Sequence, residues 1–197
     1  MFFARELVTR LIARGYTPAL VDIINLYRVG MNSQETPLLM DGVLAADAAL
    51  RKARFCPVYF ADKCFSDCAR PVLITEAERF HVLAKTIRLW GKFKSYATII
   101  SCGGNADDSA DERRERRADP FLLAELENLL KLDLWQEQSR LPVIISCDKY
   151  RDWSAAYPRA TADRDQNDIP ALVAPVTVRR RVLEIPKLGI STFCWAR

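Results

Sequence analysis

Ala19-Leu20-Val21-Asp22-Ile23-Ile24-Asn25-Leu26 is a short apolar run carrying one carboxylate and one amide, three residues apart. Its length and β-branched content predict a buried strand over 18–26 rather than a helix. Near-continuous apolar strands belong in parallel sheets covered on both faces, with charges at the strand ends. An Asp at the carboxyl end of such a strand stands where open α/β sheets build their ligand crevices. Inside Val, Ile and Leu, its charge also requires compensation.

Outward from this run, helices and strands alternate. Upstream, Phe3, Leu7, Leu11 and Ile12 form a helical stripe over 2–14, which Gly15 is placed to end. Downstream, a loop with Gly30, Asn32, Ser33 and Pro37 leads to a helix over 42–53 and a second strand over 54–61. A cysteine-containing loop follows at 62–72. Thr75-Glu76-Ala77-Glu78 is a capping box opening a helix to about Trp90, with Phe80, Leu83, Ala84 and Ile87 inward. A third strand over 96–102 ends in Gly103-Gly104, and a long charge-dense segment fills 103–118. Asp119 at the N-cap and Pro120 at the first helical position start the next helix, buried through Leu122, Leu126, Leu129 and Leu130. A fourth strand at 141–147 runs into Asp148-Lys149-Tyr150-Arg151-Asp152-Trp153, with a polar connector at 158–170. Two extended segments, 171–185 and 188–195, suggest an edge hairpin. The expected fold is therefore an α/β three-layer sandwich around a mostly parallel, Rossmann-like sheet. Residues 1–157 form its main domain, and 158–197 are a connector and short strands packed on it.

The bulk properties fit one globular domain of 197 residues, half of them hydrophobic. From Leu172 onward, Arg179, Arg180, Arg181, Lys187 and Arg197 face only Glu184, and this segment equals the whole excess of +4. Such a bias suits an anionic partner without demanding one. No run approaches the ~20 apolar residues of a membrane span, and the charged N-terminus reads as an amphipathic helix rather than a signal peptide. Six cysteines in a core-rich chain read as free thiols in a reducing compartment. The expected location is the cytoplasm, and nothing in the sequence speaks against the nucleus. Cys64, Cys68 and His81 match no strong zinc spacing.

Asp22, Asp119 and Asp148 should meet at one edge, because strand carboxyl ends and the amino ends of following helices face the same way in a parallel sheet. Asp152 lies about one turn beyond Asp148, and Asn25 is placed to orient a ligand or water. Clustered carboxylates repel unless a hard cation neutralises them, and Mg²⁺ suits oxygen ligands with several retained waters. Such an ion activates water and steadies charge on a phosphoryl oxygen. Each residue also has a simpler explanation: Asp119 as an N-cap, Asp148 and Asp152 as solvated loop charges, Asn25 as a turn residue. The joint pattern says more than any member.

These residues resemble the PIN-like NYN ribonucleases, most closely the regnase-type branch found beside CCCH zinc fingers. That branch carries Val-Asp-Gly-Ser-Asn on its first strand, where this chain has Val21-Asp22-Ile23-Ile24-Asn25. Its Asp-Asp pair before a helix corresponds to Ala118-Asp119-Pro120-Phe121, and its Val-Ser-Asn-Asp-Thr-Tyr-Arg-Asp to Ile145-Ser146-Cys147-Asp148-Lys149-Tyr150-Arg151-Asp152. The similarity spans about 17–157. It implies Mg²⁺-dependent (or Mn²⁺-dependent) endoribonuclease cleavage of single-stranded or loop RNA, with no small-molecule cofactor. The metal would be held by Asp22, Asp119 and Asp148, with Asn25 and Asp152 beside it. Ala118, Cys147 and Ile23 depart from the pattern, and the zinc finger is absent. RNA contacts are expected from Arg113, Arg114, Arg116, Arg117, Lys149 and Arg151. Tyr150 and Trp153 are candidate stacking rings, with packing against the adjacent helix the favoured reading for Trp153. A solvated charged loop explains the arginines equally well.

The departures keep open a catalytically degenerate domain serving as an RNA-binding or protein-interaction scaffold. A small-molecule phosphohydrolase using Asp22 as nucleophile is a further alternative. Gly103-Gly104 lacks the spacing of a phosphate-binding loop. Homodimerisation through 158–197 is left open.

Overall fold

The computed structural model describes residues 3–28, 39–62, 88–102, 118–136, 138 and 140–194. The loop at 30–37, Cys64, Cys68, His81, the capping box at 75–78, Gly103-Gly104 and Arg113, Arg114, Arg116 and Arg117 lie outside them.

Among the described residues, five strands form a parallel sheet: β1 (Thr17–Asp22), β2 (Phe55–Asp62), β3 (Thr98–Cys102), β4 (Val143–Ile145) and β5 (Val173–Ala174), ordered β3-β2-β1-β4-β5. The fold is a three-layer α/β sandwich, as the sequence predicts. Every residue of β1 is buried, which explains the lack of polar alternation in its sequence. Alternate side chains feed two cores. Ala19, Val21, Tyr59, Ala61 and Ile145 face one side, with helix α3 (Leu39–Lys52) and the helical stretch α4 at 88–94. Leu20, Val58, Phe60, Ile144 and Val173 face the other, with α1 (Arg5–Ala13) and α5 (Ala118–Leu130).

Several boundaries differ from the expectation. The first strand does not reach residue 26: it stops at Asp22, and Ile23–Arg28 is a helix, α2. The cause is local, since Asp22 Oδ1 accepts hydrogen bonds from the amides of Ile24 and Asn25 at 3.1 Å each, which is an N-cap. Such a cap outweighs the strand preference of two isoleucines. Asp119 does not cap α5, because Ala118 is already helical and Asp119 sits in its first turn. The helix expected to end near Trp90 continues through 94.

The C-terminal segment is no edge hairpin. Val173–Ala174 joins the parallel sheet beside β4, and β6 (Thr177–Arg179), β7 (Val182–Ile185) and β8 (Ile190–Phe193) form a separate antiparallel sheet. Val176, Leu183, Ile185 and Ile190 pack into the same core as α3. Cys56, Cys102, Cys147 and Cys194 are free thiols. No described helix is long and apolar enough to cross a membrane.

Candidate functional site

The chain lays β2 and β3 on one side of β1, then returns to lay β4 and β5 on the other. The order in which strands are added therefore reverses between β1 and β4, all of them staying parallel, and open α/β sheets bind ligands outside the carboxyl ends at such a switch point. Val21 pairs with Ile145, so Asp22 and Ser146 are the first residues past that register. A cleft of about 550 Å³ lies there, lined by Asn25, Asp119 and residues 147–153. Of the expected site residues, Asn25, Asp119, Asp148, Asp152, Lys149 and Arg151 line it.

Asp22 lies beneath, only 4% exposed. Besides the two amides on Oδ1, its Oδ2 accepts from Asn25 Nδ2 at 2.5 Å and from Ser146 Oγ at 3.5 Å. A carboxylate has about four acceptor positions, so the protein itself fills those of Asp22. The order propagates outward. Asn25 Nδ2 also donates to Ser146 Oγ at 3.0 Å, Ser146 Oγ accepts the Asp148 amide at 3.1 Å, and Asp148 Oδ1 accepts the Tyr150 amide at 3.1 Å. One buried anion thus sets the backbone on which the exposed Asp148 stands.

Tyr150, expected as a stacking ring, is instead buried. It occupies the left-handed region at φ 50°, and its hydroxyl has no hydrogen-bond partner. Burial first, then the charges of Asp22 and Asp119, push its phenol well above the usual range, and Asp148 adds to this. Nearby Ser146 works against the rise, but its own hydrogen bonds already run to Asn25, Asp22 and the Asp148 amide. All three predicted acids thus act on one phenol. Even so, among the described residues no three His, Cys, Asp or Glu side chains stand close enough to hold one metal ion. Cys147, where the resemblance expects Asn, donates from Sγ to Val176 O at 3.1 Å, and burial pushes its thiol up.

Of the expected RNA-contacting side chains, the two described ones, Lys149 and Arg151, are tethered. Lys149 Nζ donates to Asn167 O at 2.7 Å, and Arg151 Nε pairs with Asp168, whose carboxyl it holds below the usual range. Trp153, half-buried, remains at the cleft, with Tyr157 at 6.1 Å between ring centroids.

Sequence reasoning missed two residues. Ser146 was visible only as part of a quoted motif. Arg164 was hidden in the polar connector, yet its Nη1 donates to the carbonyls of Lys149 and Asp168 at 2.9 Å each, and its Nη2 to Tyr150 O at 3.3 Å. This guanidinium braces the loop that presents Asp148. Its i,i+4 pairing with Asp168 at 3.3 Å has a recognisable spacing, but no pattern marks the longer reach to the Lys149 and Tyr150 carbonyls, because those acceptors are backbone.

No protein-family model, curated protein or solved structure matches the chain.

Proposed function

We propose that this domain is a metal-dependent ribonuclease, hydrolysing phosphodiester bonds of single-stranded or loop RNA at the cleft between β1 and β4. The observation that carries the reading is an oxygen-rich donor set at the switch point of a doubly wound sheet: Asp119, Asp148 and Asn25 on the wall, Asp22 below. Mg²⁺ needs only one or two carboxylates and keeps its remaining waters. Asp119 and Asp148 fit that requirement, and the filled acceptor positions of Asp22 do not. Asp22 is accordingly a positioning residue rather than a ligand. Bound there, Mg²⁺ or Mn²⁺ would supply a water of lowered pKa and steady charge on a phosphoryl oxygen. Asn25 keeps its amide at the cleft wall through Asp22 and Ser146, Asp152 adds negative charge at the rim, and Trp153 offers a ring for a base.

The second reading, a scaffold that binds RNA without cutting it, is favoured by the absence of a three-ligand cluster among the described residues and by Ala118 and Cys147. The separating experiment incubates labelled single-stranded and hairpin RNA with Mg²⁺, Mn²⁺ or chelator. Metal-linked cleavage should fall at least ~100-fold in Asp119→Asn and Asp148→Asn, and ~10–100-fold in Asp22→Asn, as for residues that orient ligands. Chelator-insensitive cleavage, or full rates in all three variants, would remove the metal site. RNA bound but uncut under every metal condition would leave the scaffold.

A further inference from the structure

Two described features converge on the β6–β7 hairpin. Arg179 pairs with Val182, so Arg180 and Arg181 alone make the turn, with φ of 51° and 63°. A two-residue turn with both residues left-handed selects Asn-Gly, and side chains with a Cβ are strained there. Backbone strain kept at an exposed tip calls for a functional reason. That tip carries three consecutive exposed arginines, and the one acid of the segment, Glu184, sits opposite Thr177 at the other end of the hairpin.

The hairpin also springs from the cleft wall. Val176, which begins the excursion, accepts the hydrogen bond from Cys147 of the cleft wall. At ~3.4 Å per extended residue, the arginines stand no more than about 10–17 Å of chain from that contact. On the far side, Arg181 O accepts the Cys194 amide at 2.8 Å. Asp41, in the first turn of α3, is near enough to add to the burial that pushes the Cys194 thiol up. Because α3 begins past the carboxyl end of β1, its first turn belongs to the same edge as Asp22. Among the described residues near the cleft, Lys149, Arg151 and Arg164 are engaged with Asn167, Asp168 and loop carbonyls. Among the described residues, this hairpin offers a polyanion approaching the acidic walls three consecutive exposed guanidinium groups.

We propose that Arg179, Arg180 and Arg181 dock the phosphate backbone of the single-stranded RNA whose neighbouring nucleotides occupy the cleft, a placement that rests on the RNA reading above. Guanidinium forks suit phosphate, and contacts of this kind favour any sequence equally.

The test measures anisotropy of a fluorescent single-stranded RNA with the full chain in chelator, across a salt series, so that cutting plays no part. Arg180→Asn with Arg181→Gly should raise Tm by relieving the turn, yet weaken RNA binding about tenfold. With ~0.7 counterions released per contact on single strands, the slope of log affinity against log salt should become shallower by about 1.4, and by about 2 when Arg179→Ala is added. A wild type that fails to bind RNA, or unchanged affinity and slope in the variants, overturns the proposal. So does a loss confined to phosphatidylserine vesicles, measured in parallel. RNA bound but never cut, with binding lost in the variants, supports the hairpin while sinking the nuclease. RNA cut with Mn²⁺ by a chain whose variants bind normally does the reverse.

Discussion

Replacing Asp22 by alanine removes the carboxylate from which the site is ordered, and the loss can be worked from its four partners. The two amides on Oδ1 are a helix cap, worth about 1 kcal/mol. The 2.5 Å bond from Asn25 is charge-assisted and worth ~1.5–3 kcal/mol, and the 3.5 Å approach of Ser146 adds little. Relief of the buried charge offsets part of this. The expected cost is about 2–3 kcal/mol, or roughly 4–12 °C in Tm for a chain of this size. Asp22→Asn should cost less, ~1–2 kcal/mol, because Asn caps as well as Asp. Its amide nevertheless presents a donor to Asn25 Nδ2. Urea unfolding of the three proteins resolves these differences. If Asp22→Ala changes stability by under ~0.5 kcal/mol, or Asp22→Asn is the worse variant, the carboxylate is not the organising anion described here.

Two other groups of residues give equally direct tests. Tyr59 donates to buried Asp47 at 2.7 Å, so Tyr59→Phe should cost about 1–3 kcal/mol, whereas Tyr150→Phe deletes a hydroxyl with no partner and should be neutral or stabilising by up to ~1 kcal/mol. Equal effects of the two would refute the assignment. Both phenols are raised well above the usual range. The stability linked to them is thus complete below about pH 10, the unfolded value, and is lost as pH rises beyond it. Phenolate absorbance should show these two tyrosines silent until the chain unfolds in alkali, and ionisation of all six with the fold intact would contradict their burial. Arg164→Met should cost ~1–2 kcal/mol and speed hydrogen exchange selectively in 148–153. Exchange unchanged there would mean the loop stands without its brace.

The sheet was readable because buried parallel strands leave long apolar runs, and 17–22, 55–62 and 98–102 are such runs. The sheet edge to which Asp22, Asp119 and Asp148 belong followed from direction alone. What stayed hidden depended on competition or on distance. Ile23 and Ile24 favour a strand, and only the hydrogen bonds of Asp22 show why they are helical. Tyr150 reads as a surface aromatic beside charged neighbours, yet a left-handed backbone turns it inward. Val173–Ala174 is too short to carry a strand signature, and its place comes from pairing with β4. Arg164 acts across fifteen residues on carbonyl oxygens, which every sequence possesses.

That last contact has a consequence for biosynthesis. The loop bearing Asp148 is complete in sequence as soon as residue 153 joins the chain, but its guanidinium brace and β5, the outer neighbour of β4, are still untranslated. A nascent chain thus carries Asp22, Asp119, Asp148 and Asp152 before the brace of their loop exists, and the cleft is finished only when Arg164 and β5 fold back against the residues before them.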